Sequence, residues 1–246
     1  MQDQLYKYPR LYLNASFKAN EKIALSAEQT HYLKNVLRRK QGDALRVFNG
    51  IDGEWFARIE AVGKKDGAVV LTEKLKEQPE PAKPVHLFFA PIKKQRLDLL
   101  LEKAVELGVQ GLYPMITNRT ENRKLNEGRM RAQIIEAAEQ CERLDVPILH
   151  APQKLTDVIA QKTYEQCEAP LFVCMERLSM TKPMSSYSYE GGAVLMTGPE
   201  GGFDKEEAAL IQSIEGVKLI NLGETILRAE TAVTASLSYI RLSTAL

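Results

Sequence analysis

No run of about eighteen consecutive apolar residues occurs in this chain, so it lacks the stretch that a membrane-crossing helix requires. Its start, Met1-Gln2-Asp3-Gln4, lacks the basic and apolar regions of a secretory signal. Cytoplasmic residence without a membrane partner is the expectation. The cysteines, Cys141, Cys167 and Cys174, are odd in number and have no metal-ligand spacing. They are expected to be reduced, mostly buried thiols. His31, His86 and His150 form no triad and no metal pattern, so each is expected to be structural or on the surface, and no bound metal is expected. Neither the GxxxxGK[ST] spacing of a phosphate cradle nor the GxGxxG of a dinucleotide fold is found. That argues against a nucleotide-dependent oxidoreductase.

The chain has 246 residues, of which 44% are hydrophobic, enough for one large domain or two modest ones. Three prolines within six positions stiffen Glu77-Gln78-Pro79-Glu80-Pro81-Ala82-Lys83-Pro84 and forbid regular pairing, so residues 77–84 read as a linker between domains 1–76 and 85–246. Before it, residues 45–49, 54–62 and 68–75 are strand-like, with Gly50-Ile51-Asp52-Gly53 as a hairpin turn. One helix interrupts this β-rich module. Ser26 and Gln29 form its capping box, and Leu33, Val36 and Leu37 its apolar stripe. After the linker the pattern alternates: strands at 85–90, 112–116, 171–175, 193–196 and 217–220, with helices at 97–107, 129–142 and 229–242 and a further one after Asp204. This alternation predicts an α/β fold, a parallel sheet covered by helices on both faces.

The net charge of +1 hides an asymmetry: residues 1–76 carry 14 Lys and Arg against 9 Asp and Glu, whereas the remainder carries 19 against 23. Arg38-Arg39-Lys40 ends the N-terminal helix, and Lys7, Arg10, Lys64 and Lys65 add to the basic module. A surface that meets phosphates is one reading. Cations answering the helix dipole are the other. A second basic stretch, Arg119, Arg123, Lys124, Arg129 and Arg131, follows a strand end; as single residues, each is as readily a solvated loop cation.

Two glycine-centred loops carry the chemistry. Thr197-Gly198-Pro199-Glu200-Gly201-Gly202-Phe203 and Asn221-Leu222-Gly223-Glu224-Thr225-Ile226-Leu227-Arg228 each follow a short apolar strand and lead to a helix. In a parallel sheet both emerge at the carboxyl edge, where such sheets bind ligands. The glycines admit close approach of the main chain to a flat, polar guest. Asp204, Glu206 and Glu207 gather carboxylates at the next helix start, which disfavours a phosphate there and suits a neutral or cationic nucleoside derivative such as S-adenosylmethionine. Arg228 lies at a helix start, where the dipole disfavours a cation. It should have another partner, either Glu230 or a substrate anion.

Met196 to Phe203 and Leu222 to Ala232, together with His31-Tyr32-Leu33-Lys34-Asn35-Val36-Leu37-Arg38, Glu102-Lys103-Ala104-Val105-Glu106-Leu107-Gly108-Val109 and Ala137-Ala138-Glu139-Gln140-Cys141, resemble the bacterial methyltransferases that make N3-methyluridine in small-subunit (16S) ribosomal RNA, members of the SPOUT superfamily. Two positions depart: Thr117-Asn118-Arg119-Thr120 lacks the acidic residue usual before the arginine, and Glu142 stands where a glycine is common. The resemblance implies a C-terminal trefoil knot, an N-terminal PUA-like β-barrel domain that holds RNA, and a homodimer with small and apolar residues of the last helix (Ala232, Val233, Ala235, Ser236, Leu237, Ile240) available to pack at its interface. An internal core helix would have the same composition. The implied activity is direct methyl transfer from S-adenosyl-L-methionine to uridine N3, in free RNA or in the assembled 30S subunit.

The cofactor residues are then Thr197, Gly198, Glu200, Gly201, Gly202, Leu222, Gly223, Ile226 and Leu227, mostly through backbone, with Met175 as an addition. Arg228 is the candidate for the developing negative charge or the target phosphate, and Glu230 for orienting Arg228 or relaying the proton. Arg10, His31, Arg38, Arg39, Lys40, Arg119 and Arg123 are the candidates for RNA. Within the same superfamily, a 2′-O-methyltransferase of transfer RNA ribose shares these features. A non-catalytic RNA-binding protein with a relic pocket shares most of them.

Overall fold

A computed structural model describes residues 2–64, 66–80, 83–176 and 180–244; Lys65, Pro81 and Ala82 lie outside the described residues. The chain divides into two units, one of Met1–Pro81 with Ala138–Val146 and one of Ala82–Ala137 with Pro147–Leu246.

The first unit is built on a five-stranded sheet of β1 (Arg10–Tyr12), β2 (Lys22–Leu25), β3 (Ala44–Phe48), β4 (Glu54–Val62) and β5 (Gly67–Lys76), in the order β1-β3-β4-β5-β2. All pairs are antiparallel except β1 with β3. Register shifts between β4 and β5 fall at Glu54/Trp55, Phe56/Ala57 and Ile59/Ala61. Such bulges sharpen the twist and curl the sheet around its apolar face. Leu33, Leu45, Val47, Ala57, Ile59, Val69 and Leu71 fill that face. Between β2 and β3, Ser26 Oγ accepts from the Gln29 amide at 3.1 Å, and Gln29 Oε1 accepts from the Ser26 amide at 2.9 Å. This capping box starts α1 (Ala27–His31), which widens into a π-turn over Tyr32–Val36. The wider turn takes Val36 off the expected stripe: Leu33 is buried, whereas Val36 is 58% exposed.

Arg10 was expected on the RNA-facing surface, and the structure corrects this. Its side chain is buried, with Nε donating to Glu54 Oε1 at 2.7 Å and the guanidinium stacked 4.3 Å from the Phe48 ring centroid. Nη1 donates to the carbonyls of Ala138 and Glu139 and Nη2 to that of Arg143. Every donor group of Arg10 is thereby engaged within the unit. Arg46, also buried, donates to Glu142 at 2.7 Å and lies 3.5 Å from Glu54. Glu142 has φ +61°, a backbone region that favours glycine. The hydrogen bond from Arg46 holds its carboxyl below the ordinary glutamate value and compensates for the strained backbone.

The second unit contains β6 (Val85–Phe89), α2 (Lys94–Glu106), β7 (Gly111–Ile116), α3 (Glu127–Gln140, whose last turn belongs to the first unit), β8 (Ile148–Leu149), β9 (Gln153–Lys154), α4 (Leu155–Ala160), β10 (Leu171–Cys174), β11 (Lys182–Pro183), β12 (Ala193–Thr197), α5 (Lys205–Gln212), β13 (Lys218–Asn221) and α6 (Ala229–Thr244). The strands pair in parallel in the order β11-β13-β10-β12-β6-β7-β8, with β9 also on β7. Alternate side chains point to opposite faces. Phe88, Met115, Val173, Val194, Met196 and Leu219 pack with Leu155 and Val158 of α4 and Ile211 of α5. On the other face α2 and α6 pack together, and α6 lies on β12.

Ala232, Val233, Ser236, Leu237 and Ile240 of α6 are buried within the chain itself. They form core and not a dimer surface, which corrects the interface expected for them; of that set only Ala235 is exposed. No helix among the described residues is long and apolar enough to cross a membrane.

Gly192 sets the entry of β12. Its φ is +88°, and a Cβ there would lie 2.2 Å from the Pro84 carbonyl oxygen, the acceptor for the Ala193 amide at 2.8 Å. Gly192→Ala combines a left-handed strain with a backbone clash and should lower stability by about 2–3 kcal/mol. An unchanged urea midpoint would refute this.

Candidate active site

Both glycine loops open at the carboxyl edge of the parallel sheet, after β12 and β13, and wall a cavity of about 560 Å³. Its lining includes Met175, Thr197, Gly198, Glu200, Gly201, Gly202, Leu222, Ile226 and Leu227. Gly223 lies outside the lining; its φ of +111° serves the turn of the loop. The first loop closes through a Gly202 amide bond to the Pro199 carbonyl at 2.8 Å, with Gly202 at φ +67°. A Cβ on Gly198 would come within 3.2 Å of the Phe203 ring, so ring and loop are packed to van der Waals contact.

The turn after β7 docks on this loop. Thr117 and Thr120, both buried, join through their hydroxyls at 2.9 Å, and the Thr117 amide donates to Thr120 Oγ1. That turn presents Arg119, whose Nη1 donates to the Gly201 carbonyl at 2.6 Å. Asn118 donates from its amide to Glu207 Oε1 and from Nδ2 to Asp204 Oδ2, both at 2.7 Å. Asp204 and Glu207 also cap α5 reciprocally. Hydrogen bonds from the Glu207 amide, first, and from Asn118 hold the Asp204 carboxyl below its ordinary value.

These carboxylates and Glu206 are not among the residues that line the cavity. The lining charges are instead Arg96, Arg119 and Arg228 with Glu176 and Glu200. Arg96 and Glu176 come from segments without a glycine loop. Only the position of Arg96 just beyond the end of β6, on the edge shared with the loops, could have marked it in the sequence.

Arg228 is exposed and makes no ion pair or hydrogen bond through its side chain among the described residues; its carbonyl accepts the Ala232 amide at 2.8 Å, which places it at the cap of α6. Glu230 does not pair with it. Glu230 is buried, and its Oε1 faces Arg96 Nε at 3.7 Å. Of the second basic stretch only Arg119 reaches the cavity. Arg123 folds onto the carbonyls of Thr117, Asn118 and Thr120, Arg129 pairs with Asp98, and Arg131 donates to the Leu149 carbonyl. On the first unit His31, Arg38 and Lys40 are exposed, Arg39 is half-buried, and Arg38 ends the helical segment at φ +53°.

The cavity fits S-adenosylmethionine. Its volume lies in the range of small-molecule sites. Leu222, Ile226, Leu227 and Met175 offer an apolar wall for a flat base, and Glu176 and Glu200 suit a cationic sulfur. Thr197 Oγ1 is buried in that wall without a hydrogen-bond partner, an unmet polar group of the kind a polar ligand satisfies. Cys174 also lines the cavity, but burial pushes its thiol up to about 12, which excludes a thiolate nucleophile at neutral pH. His86 and His150 belong to an aromatic cluster around Tyr113, where His150 stacks at 3.9 Å. Burial, first, holds both below the ordinary histidine value, with His150 adding to the effect on His86 and the Arg131 cation to that on His150. No group of three or more His, Cys, Asp or Glu among the described residues is placed to hold a metal.

Residues 78–241 match the family model of an RNA methyltransferase domain, and residues 25–72 that of an RNA methyltransferase PUA domain. The chain is 38% identical to the ribosomal RNA small subunit methyltransferase E of Rickettsia conorii, over 96% of each chain. A methyltransferase of Legionella pneumophila, solved with the cofactor SAM, superposes with a TM-score of 0.84 at 29% identity, over 96% of this chain and 97% of that one. The ribosomal RNA small subunit methyltransferase E of Neisseria gonorrhoeae shares the fold, with a TM-score of 0.83 at 24% identity over 96% and 97% of the two chains. With the glycine-walled cavity in its second unit and a curled PUA-like sheet in its first, the chain belongs to the RNA methyltransferase family of the small-subunit ribosomal RNA methyltransferases E.

Proposed function

We propose that this chain transfers the methyl group of S-adenosylmethionine to N3 of a uridine in small-subunit (16S) ribosomal RNA. The observation that carries the reading is a single cavity in which two glycine loops meet three arginines at the sheet edge. Thr197, Gly198, Glu200, Gly201 and Gly202 hold the cofactor from one side, and Leu222, Ile226 and Leu227 from the other, with Met175 beneath and Gly223 shaping the turn. Bound there, the cofactor supplies a methyl carbon activated by a cationic sulfur. The chain's own work is alignment, since in-line displacement gains most from fixed geometry.

Uracil N3 carries a weakly acidic proton, and its loss spreads charge over O2 and O4. A cation beside that charge and an acceptor for the proton both lower the barrier. Arg228, exposed at the cavity rim with no partner of its own, serves as the cation or grips the target phosphate. Glu230 takes the proton. Arg119 and the exposed His31, Arg38 and Lys40 meet the RNA backbone, and the half-buried Arg39 supports them. The knotted threading of the two loops belongs to this reading, as does a homodimer in the cytoplasm; exposed Leu99 on α2 and Tyr239 and Leu242 on α6 support an apolar contact between copies.

Ribosomal RNA from cells lacking this protein should lose one N3-methyluridine, and purified protein with S-adenosylmethionine should restore it on free RNA or on 30S subunits. Nucleoside mass spectrometry reads the result. A ribose 2′-O-methyl product would move the enzyme to the other chemistry of its superfamily. Absence of both product and calorimetric cofactor binding would leave an RNA-binding protein.

A further inference from the structure

Arg96 enters the cavity from the first turn of α2, remote in sequence from both glycine loops. Its guanidinium lies between two carboxylates: Nη1 is 3.9 Å from Glu200 Oε1 in the first loop, and Nε is 3.7 Å from Glu230 Oε1 on α6. Glu230 has a buried side chain, and its second oxygen, Oε2, is buried with no hydrogen-bond partner. Glu230 is not itself in the cavity lining, but Arg96, Ala229 and Ala232 around it are. A buried carboxylate oxygen without a donor is costly unless something that arrives later supplies one. Arg96 forms a long ion pair with one oxygen of this carboxylate, and the other has no partner.

We propose that Arg96 is a positioning residue for methyl transfer: it fixes Glu230 through Oε1 so that Oε2 accepts the proton of the substrate's N3. The N3–H bond breaks, Oε2 gains the proton, and the electron pair left on N3 forms the bond to the methyl carbon as the methyl–sulfur bond breaks and its pair stays on the sulfur, which departs as a neutral thioether. This inference rests on the methyl-transfer reading above and adds the group that orients its proton acceptor. Arg96 also joins the first loop to the last helix across the cavity, so the orientation of Glu230 is tied to the conformation of the cofactor loop.

The test uses the full-length enzyme, S-adenosylmethionine and the RNA substrate that the wild type methylates. Glu230→Gln should lower kcat about 100-fold or more, and Arg96→Ala about tenfold or more, with both KM values within about threefold of wild type. Arg96→Lys, which keeps the charge, should recover part of the loss. The double variant Arg96→Ala/Glu230→Gln should be no slower than Glu230→Gln alone, because Arg96 acts through Glu230. Losses that multiply in the double variant would show that the two residues act independently, and a rise in KM with kcat unchanged would show a role in binding alone; either result overturns the proposal. A fully active Arg96→Ala enzyme overturns it while leaving the methyl-transfer reading intact. A wild type that transfers no methyl group overturns both.

Discussion

Arg228→Ala should abolish methyl transfer while leaving the protein at least as stable as the wild type. Arg228 sits at the cap of α6, where the positive end of the helix repels a cation, and its side chain has no partner among the described residues. Removing it therefore deletes no stabilising contact. In the proposed mechanism, what is lost is the cation that meets the developing charge on the uracil or the phosphate of the target nucleotide. Loss of one preorganised donor to a developing anion costs about 10²–10³ in kcat, or about 3–4 kcal/mol. Cofactor affinity should stay within about tenfold, a gap of about 1.4 kcal/mol, because the cavity wall that faces the base is untouched. Single-turnover methylation, calorimetric titration with S-adenosylmethionine and a thermal melt separate the three effects. Full activity in the variant would remove Arg228 from the chemistry.

Glu54→Ala should unfold the first unit preferentially. Glu54 is completely buried and neutralises Arg10 at 2.7 Å and Arg46 at 3.5 Å, both buried, with Lys76 at 3.6 Å. Taking away the shared anion leaves two guanidinium groups in the interior with incomplete compensation. Breaking a buried ion pair by removing one partner costs about 3–5 kcal/mol. Trp55, the sole tryptophan, is the next residue on the same strand and reports on this unit alone. Its fluorescence in urea should show an early transition that far-UV circular dichroism registers only in part. A coincident, unshifted transition would show that the carbonyls of Ala138, Glu139 and Arg143 hold Arg10, and Glu142 holds Arg46, without Glu54.

Much of this architecture was legible because the determining interactions are local. The capping boxes at Ser26 and Asp204 rest on residues three apart and appear as read. The parallel strands carry short apolar runs, and the glycine loops follow them at the sheet edge. Failures come from interactions that sequence spacing does not encode. β1 and β2 have three and four residues, too short for a periodic signal, and their partners β3 and β5 lie tens of residues away. Arg10 has the composition of a surface cation, and only the buried carboxylate 44 residues on makes it a core residue. Val36 fits a 3.6-residue stripe, but a π-turn rotates it outward. Arg96 has no motif of its own, because its place depends on α2 meeting the first glycine loop and α6, more than a hundred residues downstream.

The three carbonyls that receive Arg10 belong to residues 138–143, far from the sheet strands in sequence. The β-rich module is therefore not a bead that recombination at the prolines can lift out and fuse to another enzyme. A transplanted piece ending there would carry Arg10 and Glu54 but lose the acceptors for most of the guanidinium. A swap of the β-rich module must carry residues 138–146 with it if the buried guanidinium is to keep its acceptors.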